Sequence, residues 1–313
     1  MKSDTANSAA EKIERWVTLV TVFAPLAATA FAIYLGWRRW VEPRDLVLAG
    51  AMYLVTIGGI TLGYHRLFTH KGFKCGAVVR AVLGIAGSMA SQGPLFFWVA
   101  CHRRHHQHSD SAGDPHSPHA HGEGALAVLR GWWHAHVGWM LTHKPENYFR
   151  LVNDLVRDPV VMTVHRLYFV WVLVGLALPG LISMAVAGSA AAFWPGVLWG
   201  GFVRMFVVHH VTWSVNSVCH VMGSRPYATE DESRNNALVA VLTLGEGWHN
   251  NHHAFPSSAR HGLQWWQVDP TYLVLLALKV MRLAWDIRTP SPGELAASPA
   301  SDGSAPALPT AFQ

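Results

Sequence analysis

Four long stretches of the chain are apolar at almost every position, and the polar residues between them gather into histidine-rich clusters. Val17–Trp37, Val47–Tyr64, Arg166–Val186 and Ala191–Val208 are each about as long as the roughly 20 apolar residues that cross a bilayer as a helix. The first is too long to be the apolar region of a cleaved signal. A fifth apolar run, Val78–Ala100, carries Arg80, many small residues and Gly93-Pro94. Those features suit a helix that lies in or dips into the interface. No repeat of a solenoid kind is present.

Composition supports a membrane protein. Of the 313 residues, 51% are hydrophobic and 14% charged, against about 25% charged in soluble domains. The net charge of +5 does not point to nucleic acid, because Lys and Arg are scattered near span ends rather than gathered into one basic block. Ten of them lie between Arg66 and Arg157, against three (Arg38, Arg39, Arg44) in the connection after the first span. The positive-inside rule therefore places the long central loop in the cytoplasm. Three scattered cysteines (Cys75, Cys101, Cys219) with no CxxC argue against a disulfide framework or a zinc ribbon. Residues 1–14 and 289–313 are expected to be flexible, which leaves 15–288 as one domain.

The histidines carry the chemistry. In HNNHH, His249, His252 and His253 stand at i, i+3 and i+4 and share a helical face, where imidazole suits apolar packing poorly. HRRHH repeats that spacing with His102, His105 and His106, HRLFTH supplies His65 and His70, and NSVCH pairs Asn216 with His220. One such cluster can arise by chance in a chain with 20 histidines, but two copies of one spacing plus two pairs at span ends cannot reasonably do so. If the four spans pair as hairpins, all nine of these histidines return to the side of the N-terminus. A fifth crossing at Val78–Ala100 would separate HRLFTH from HRRHH, so four spans are expected. Nine imidazoles exceed the coordination of one ion and suit two. The adjacent pairs His105-His106 and His252-His253 diverge, which suits ligands divided between two metals. His65 and His70 lie about 140° apart on an α-helix, so they are expected to act from a helix end or to reach different ions. Iron, copper, nickel and zinc all accept such ligands.

These clusters, together with DPHS (Asp114–Ser117), HVGW (His136–Trp139), TWSVNS (Thr212–Ser217) and GEGWHNNHHAFP, resemble the membrane fatty acid desaturases of the acyl-CoA (stearoyl-CoA, Δ9) type from about Gly59 to Asp286. The resemblance implies an all-α membrane fold of four transmembrane helices capped by a cytosolic helical domain that holds two irons. It implies as ligands His65, His70, His102, His105, His106, His220, His249, His252 and His253, with Asn216 meeting one iron through a water. It further implies that O2 and two electrons from a separate donor, such as a ferredoxin or a cytochrome b5-like protein with its reductase, introduce a cis double bond into a saturated acyl chain. Animal relatives open the central cluster with Trp-Ala-Arg-Asp-His, where the Arg-Asp pair helps to hold the CoA head group. Here the stretch is Trp98-Val99-Ala100-Cys101-His102. GEGWHNNHH and SARHGLQWWQVD (Ser258–Asp269) are more similar to the bacterial, cyanobacterial and plant branch, in which some members act on acyl lipids. The acyl carrier, CoA or lipid, stays open at this point, and the location implied is a bacterial inner membrane with the histidines facing the cytoplasm.

Trp98, Thr212 and Trp213 are candidates to line an acyl slot beside the metals. Asp114 and Glu246 are candidates to orient ligand imidazoles, with Asp231 in DESRNN a weaker one, and His136 is an outer-shell candidate. His108, His116, His119, His121, His134, His143, His165, His209, His210 and His261 are expected to be loop or supporting residues, and PHSPHAHGEG a solvated loop. Soluble di-iron desaturases use paired Glu-x-x-His motifs, and only Glu246–His249 has that spacing. The rival enzyme is a di-iron fatty acyl or alkane hydroxylase. A metal transporter would instead need ligands along a path between the spans. The segments before Val17 and after Arg288 are too short to fold alone, so a fused electron carrier is not expected.

Overall fold

A computed structural model describes residues 2–37, 41–122, 124–142 and 148–298. Among the described residues, four helices are long and apolar enough to cross a membrane: Lys12–Trp37, Pro43–Thr69, Tyr168–Ala187 and Ala190–Val218. Their outer faces expose Phe31, Leu54, Leu173 and Val186, the residues expected against lipid. Where a flexible N-terminus was expected, helix runs back to Lys2. In the tail Ser291 caps a short helix, Pro292–Ala297, while 299–313, like Arg38, Arg39 and His143, lie outside the described residues.

The fifth apolar run does not form a span. It divides into helices Ala77–Ser88 and Leu95–His108, 12 and 14 residues long, each short of the roughly 20 needed to cross. The break between them places Ser91 (φ 59°) and Gly93 (φ 103°) in left-handed conformations.

Small residues bring the helices together, because lipid supplies no hydrophobic force between them and close contact must do so. A Cβ added at Gly59 would lie 2.2 Å from the Gly87 nitrogen, so the second span meets the dipping helix backbone to backbone. A Cβ at Gly200 would lie 2.5 Å from Pro179 Cβ, which marks the same closeness between the third and fourth spans. Pro43 opens the second span at a position where no N–H is needed.

The second and fourth helices extend beyond the runs expected from hydropathy. The second continues through His65 to Thr69 in a π-helical stretch, Gly59–Thr69, and the fourth carries Asn216 to Val218, with His220 just beyond. Polar residues at these ends, among them His65, Thr69, Ser217 and His220, are tolerated because they are buried, with residues of 95–122 and 219–288 packed against them. A two-residue antiparallel pairing of Lys74–Cys75 with Ala284–Trp285 ties the segment after His70 to the end of 219–288.

Gly59→Ala should force the second span and the dipping helix apart, at about 1–3 kcal/mol for overpacking. Gly50, where an added Cβ meets nothing within 4 Å, is the control. Thermal unfolding in detergent should show a lower melting temperature for Gly59→Ala and none for Gly50→Ala; equal values would refute the close contact.

Candidate metal centre

Four segments supply the histidines, and they form two groups. His65, His70, His102, His106 and His252 bring one nitrogen each within 4.8 Å of one another, and so do His105, His220, His249 and His253. The α-helical spacing explains the division. His102 and His106, and likewise His249 and His253, stand four apart on one face, whereas their neighbours His105 and His252 are turned to the other group. His65 and His70 join the same group, contrary to the expectation from α-helical geometry. The π-helix widens the turn so that residues five apart align, and the His70 amide donates to the His65 carbonyl at 3.1 Å.

Four carboxylates orient these rings through Nδ1. Asp110 accepts from His220 at 2.7 Å, Asp114 from His105 at 3.0 Å and Asp231 from His253 at 2.6 Å, and Glu246 is in contact with His65. Burial alone would raise these carboxyls, but their histidine partners outweigh it and hold Asp110 at about 2 and Asp114, Asp231 and Glu246 well below the usual carboxylate range. Arg66, wholly buried, fixes Glu246 in turn: its Nε and Nη2 donate to Oε1 at 3.2 and 2.9 Å, and Nη1 donates to Asp269 at 2.9 Å and to the Ala259 carbonyl at 2.8 Å.

The rings then present their Nε2 atoms to one another. The contacts His65–His252, His70–His102 and His102–His106 are 3.1 Å, His106–His252 is 2.9 Å and His220–His249 is 3.0 Å. Two metal–imidazole bonds of about 2.1 Å at a right angle would set their nitrogens about 3.0 Å apart. Burial holds His70, His102, His106, His249 and His252 well below the usual imidazole range, with neighbouring imidazoles adding to it. They are therefore neutral near pH 7, the form that binds metal. His105 Nε2, His253 Nε2, His249 Nδ1 and His252 Nδ1 are buried without a hydrogen-bond partner, so no placement of one proton per ring satisfies the whole set. A cation among the Nε2 atoms satisfies His105 and His253, and the donor set fits two metal ions.

A cavity of about 90 Å³, the room of roughly three waters, opens beside the histidines and is lined by Thr61, Trp98, His102, Thr212, Trp213 and Asn216 among others. It also reaches His65 of the first group and His249 of the second, so Asn216 lines a cavity that touches both. It has room for only a few carbons of an extended chain unless the lining moves.

The structure separates the remaining candidates. Asp114 and Glu246 stand against ligand rings, but His136 does not: its nitrogens meet Ser217 Oγ at 2.9 Å and His210 Nδ1 at 3.0 Å. The loop expected to be solvated is partly buried, with His116 3% exposed and its ring 4.4 Å from that of His105. His119, expected to be a loop or supporting residue, donates its Nε2–H to the His220 carbonyl at 2.8 Å. His261 lies buried with its ring 4.6 Å from that of His252 and its Nδ1 3.4 Å from Glu246. Asp110 carries no spacing signal, since a loop brings it to His220 across 110 positions.

A family model described as fatty acid desaturase matches residues 45–278. The chain is 42% identical over 269 residues to a hex-5-enoyl-[acyl-carrier protein] acetylenase of Moorena producens, covering 85% of this chain and 84% of that protein. It is 41% identical over 240 residues to an sn-1 stearoyl-lipid 9-desaturase of Anabaena variabilis, covering 76% and 81%. A further sn-1 stearoyl-lipid 9-desaturase, of Synechocystis, is 37% identical over 293 residues, covering 93% and 86%.

Asp110→Asn leaves the His220 ring unoriented and should weaken metal binding roughly 10–100-fold. Metal retained after dialysis against a graded chelator measures this, and retention equal to the parent would refute the role. The neutral imidazoles also set a pH dependence. Unfolded, they take up protons near pH 6.5, whereas in the metal-free fold burial refuses them. The unfolded state then binds more protons, so the metal-free protein should lose stability as pH falls through about 6.5 toward the lower folded values. Its melting temperature in detergent should be lower near pH 5.5 than near pH 7.5, and a flat profile would refute it.

Proposed function

We propose, from the premise that this chain belongs to the fatty acid desaturase family, that it introduces a cis double bond into a saturated acyl chain at its histidine centre. The observation that carries the reading is the placement of two groups of buried imidazoles beside a cavity lined by Trp98, Thr212 and Trp213. His65, His70, His102, His106 and His252 would hold one iron. His105, His220, His249 and His253 would hold the other, with Asn216 reaching it through a water. Bound iron supplies, with O2, the oxidising power that breaking an inert methylene C–H bond demands and that acid–base side chains lack. The balance is one O2, two electrons and two protons taken up, two hydrogens removed from adjacent carbons, and two waters released.

The protein's own groups do the rest. Asp110, Asp114, Asp231 and Glu246 fix the ligand rings, Arg66 fixes Glu246, and the aromatic lining holds the chain and excludes water. The electrons come from a separate carrier of ferredoxin or cytochrome b5 type. Ten basic residues between Arg66 and Arg157 support a cytoplasmic position for the centre, in a bacterial inner membrane.

For the carrier, we read a membrane lipid rather than a CoA thioester. Val99 and Ala100 are fully buried and Cys101 nearly so, which leaves no polar handle on this stretch. Two of the relatives are named as stearoyl-lipid 9-desaturases, which supports both a lipid-borne stearoyl group and attack at Δ9.

Gas chromatography with mass spectrometry of membrane fatty acids from an expressing host tests the reading, beside the same host with His252→Ala. New Δ9 monounsaturated chains are expected with the intact protein and not with His252→Ala. Hydroxylated chains would transfer the protein to the rival hydroxylase reading. No new product in a host that supplies a competent donor would overturn it.

A further inference from the structure

We infer that Arg204, His209 and Tyr168 set which carbon is attacked, by tethering the turn that walls the cavity away from the ligands. This rests on the desaturase reading above. The turn, residues 89–94, joins the Ala77–Ser88 helix to the Leu95–His108 helix, and its irregular backbone packs against the third and fourth spans, where orphaned buried peptide groups are costly. Side chains of the third and fourth spans satisfy it. Arg204 Nη1 donates to the Met89 carbonyl at 2.8 Å, His209 Nε2 donates to the Ala90 carbonyl at 2.8 Å, and the Gly93 amide donates to Tyr168 Oη at 3.0 Å. The side chain of Gln92 in the same turn donates to the Val208 carbonyl at 3.3 Å.

Arg204 is 1% exposed on a helix that spans the bilayer, and its other hydrogen bonds go to the Gly175 and Gly200 carbonyls, at 2.8 and 3.1 Å. Gly175 lacks a side chain where one is barred: a Cβ there would lie 2.9 Å from the Met89 oxygen. A charged group so placed is expensive, and in membrane proteins it marks function more often than packing. None of these three residues is needed to hold a metal.

What they hold is the cavity wall. Gln92 lines the cavity and accepts from Trp98 Nε1 at 3.4 Å, and Trp98 stacks on His102 with ring centres 5.2 Å apart. Phe97, also on the lining, packs under Gly93 and stands five residues, about 7.5 Å, before His102 along the helix. The tethers thus fix the distance between the wall and the ligands. Neighbouring carbons of a chain are about 1.5 Å apart, so a wall that shifts by that much presents different C–H bonds to the centre. Arg204, His209 and Tyr168 are therefore positioning residues, acting through the turn rather than on substrate.

The test is the double-bond position in products of Tyr168→Phe and Arg204→Lys, read by mass spectrometry of dimethyl disulfide adducts, with metal content and melting temperature measured alongside. Tyr168→Phe removes one oxygen and keeps the ring, so it decides the matter if Arg204→Lys fails to accumulate. The parent should give one dominant isomer, and the variants at least a fivefold rise in neighbouring isomers at unchanged metal content. A purely structural role would lower yield or melting temperature without moving the bond, and folded variants with the parent's isomer pattern would overturn the inference. A parent that makes no alkene would instead sink the desaturase reading, and this inference with it.

Discussion

The buried guanidinium of Arg66 is the constraint around which the centre is built. It sits on the π-helical end of the second span and reaches, in one fork, Glu246 before the HNNHH helix, Asp269 before the Pro270–Val280 helix and the Ala259 carbonyl. A buried ion pair of this kind adds little net stability against an apolar alternative, but it specifies register, because a slipped arrangement leaves a charge unpaired in a dry interior. The glycine before Glu246 belongs to the same constraint. Gly245 has φ 122°, and a Cβ there would lie 2.5 Å from Asp269 Oδ1 and 3.1 Å from Arg66 Nη2. Span, metal-ligand helix and cap are thereby locked at one point, one residue from His65.

The six-residue His249–Ala254 helix could not persist alone, since short helices are marginal in water. The two asparagines between its histidines hold it. Asn250 exchanges hydrogen bonds with the Tyr227 backbone, while Asn251 binds the His261 carbonyl and the Gln267 side chain and accepts from Asn235. Each i, i+3, i+4 cluster therefore combines ligands on two faces with anchors on the others, which is why the motif is so polar within a buried core.

Much of this was legible in the residues, because hydropathy and histidine spacing are local signals. The four spans, the break at Gly93-Pro94 and the two-way division of the HxxHH clusters follow from periods of the helix. The shared grouping of His65 and His70 did not, since a π-helical stretch is invisible to α-helical counting. Asp110, His116 and His261 were equally hidden: each reaches the centre through a loop whose path is fixed by tertiary contacts. His136 misled for the opposite reason, since a family motif placed it near the site while Ser217 and His210 hold its ring.

Charge completes the case for two cations. Asp269 offsets Arg66, which leaves Asp110, Asp114, Asp231 and Glu246 as four buried or largely buried anions around nine imidazoles. Two divalent ions would carry the matching positive charge, whereas one would leave an anionic interior that water cannot reach to relieve. Without metal, protons must serve instead. Burial disfavours a charge on His105, yet Asp114, Asp110 and Asp231 outweigh it and raise its proton affinity above the ordinary imidazole value, while most other ligands stay neutral. A proton on His105 thus stands in for part of the charge that metal would bring.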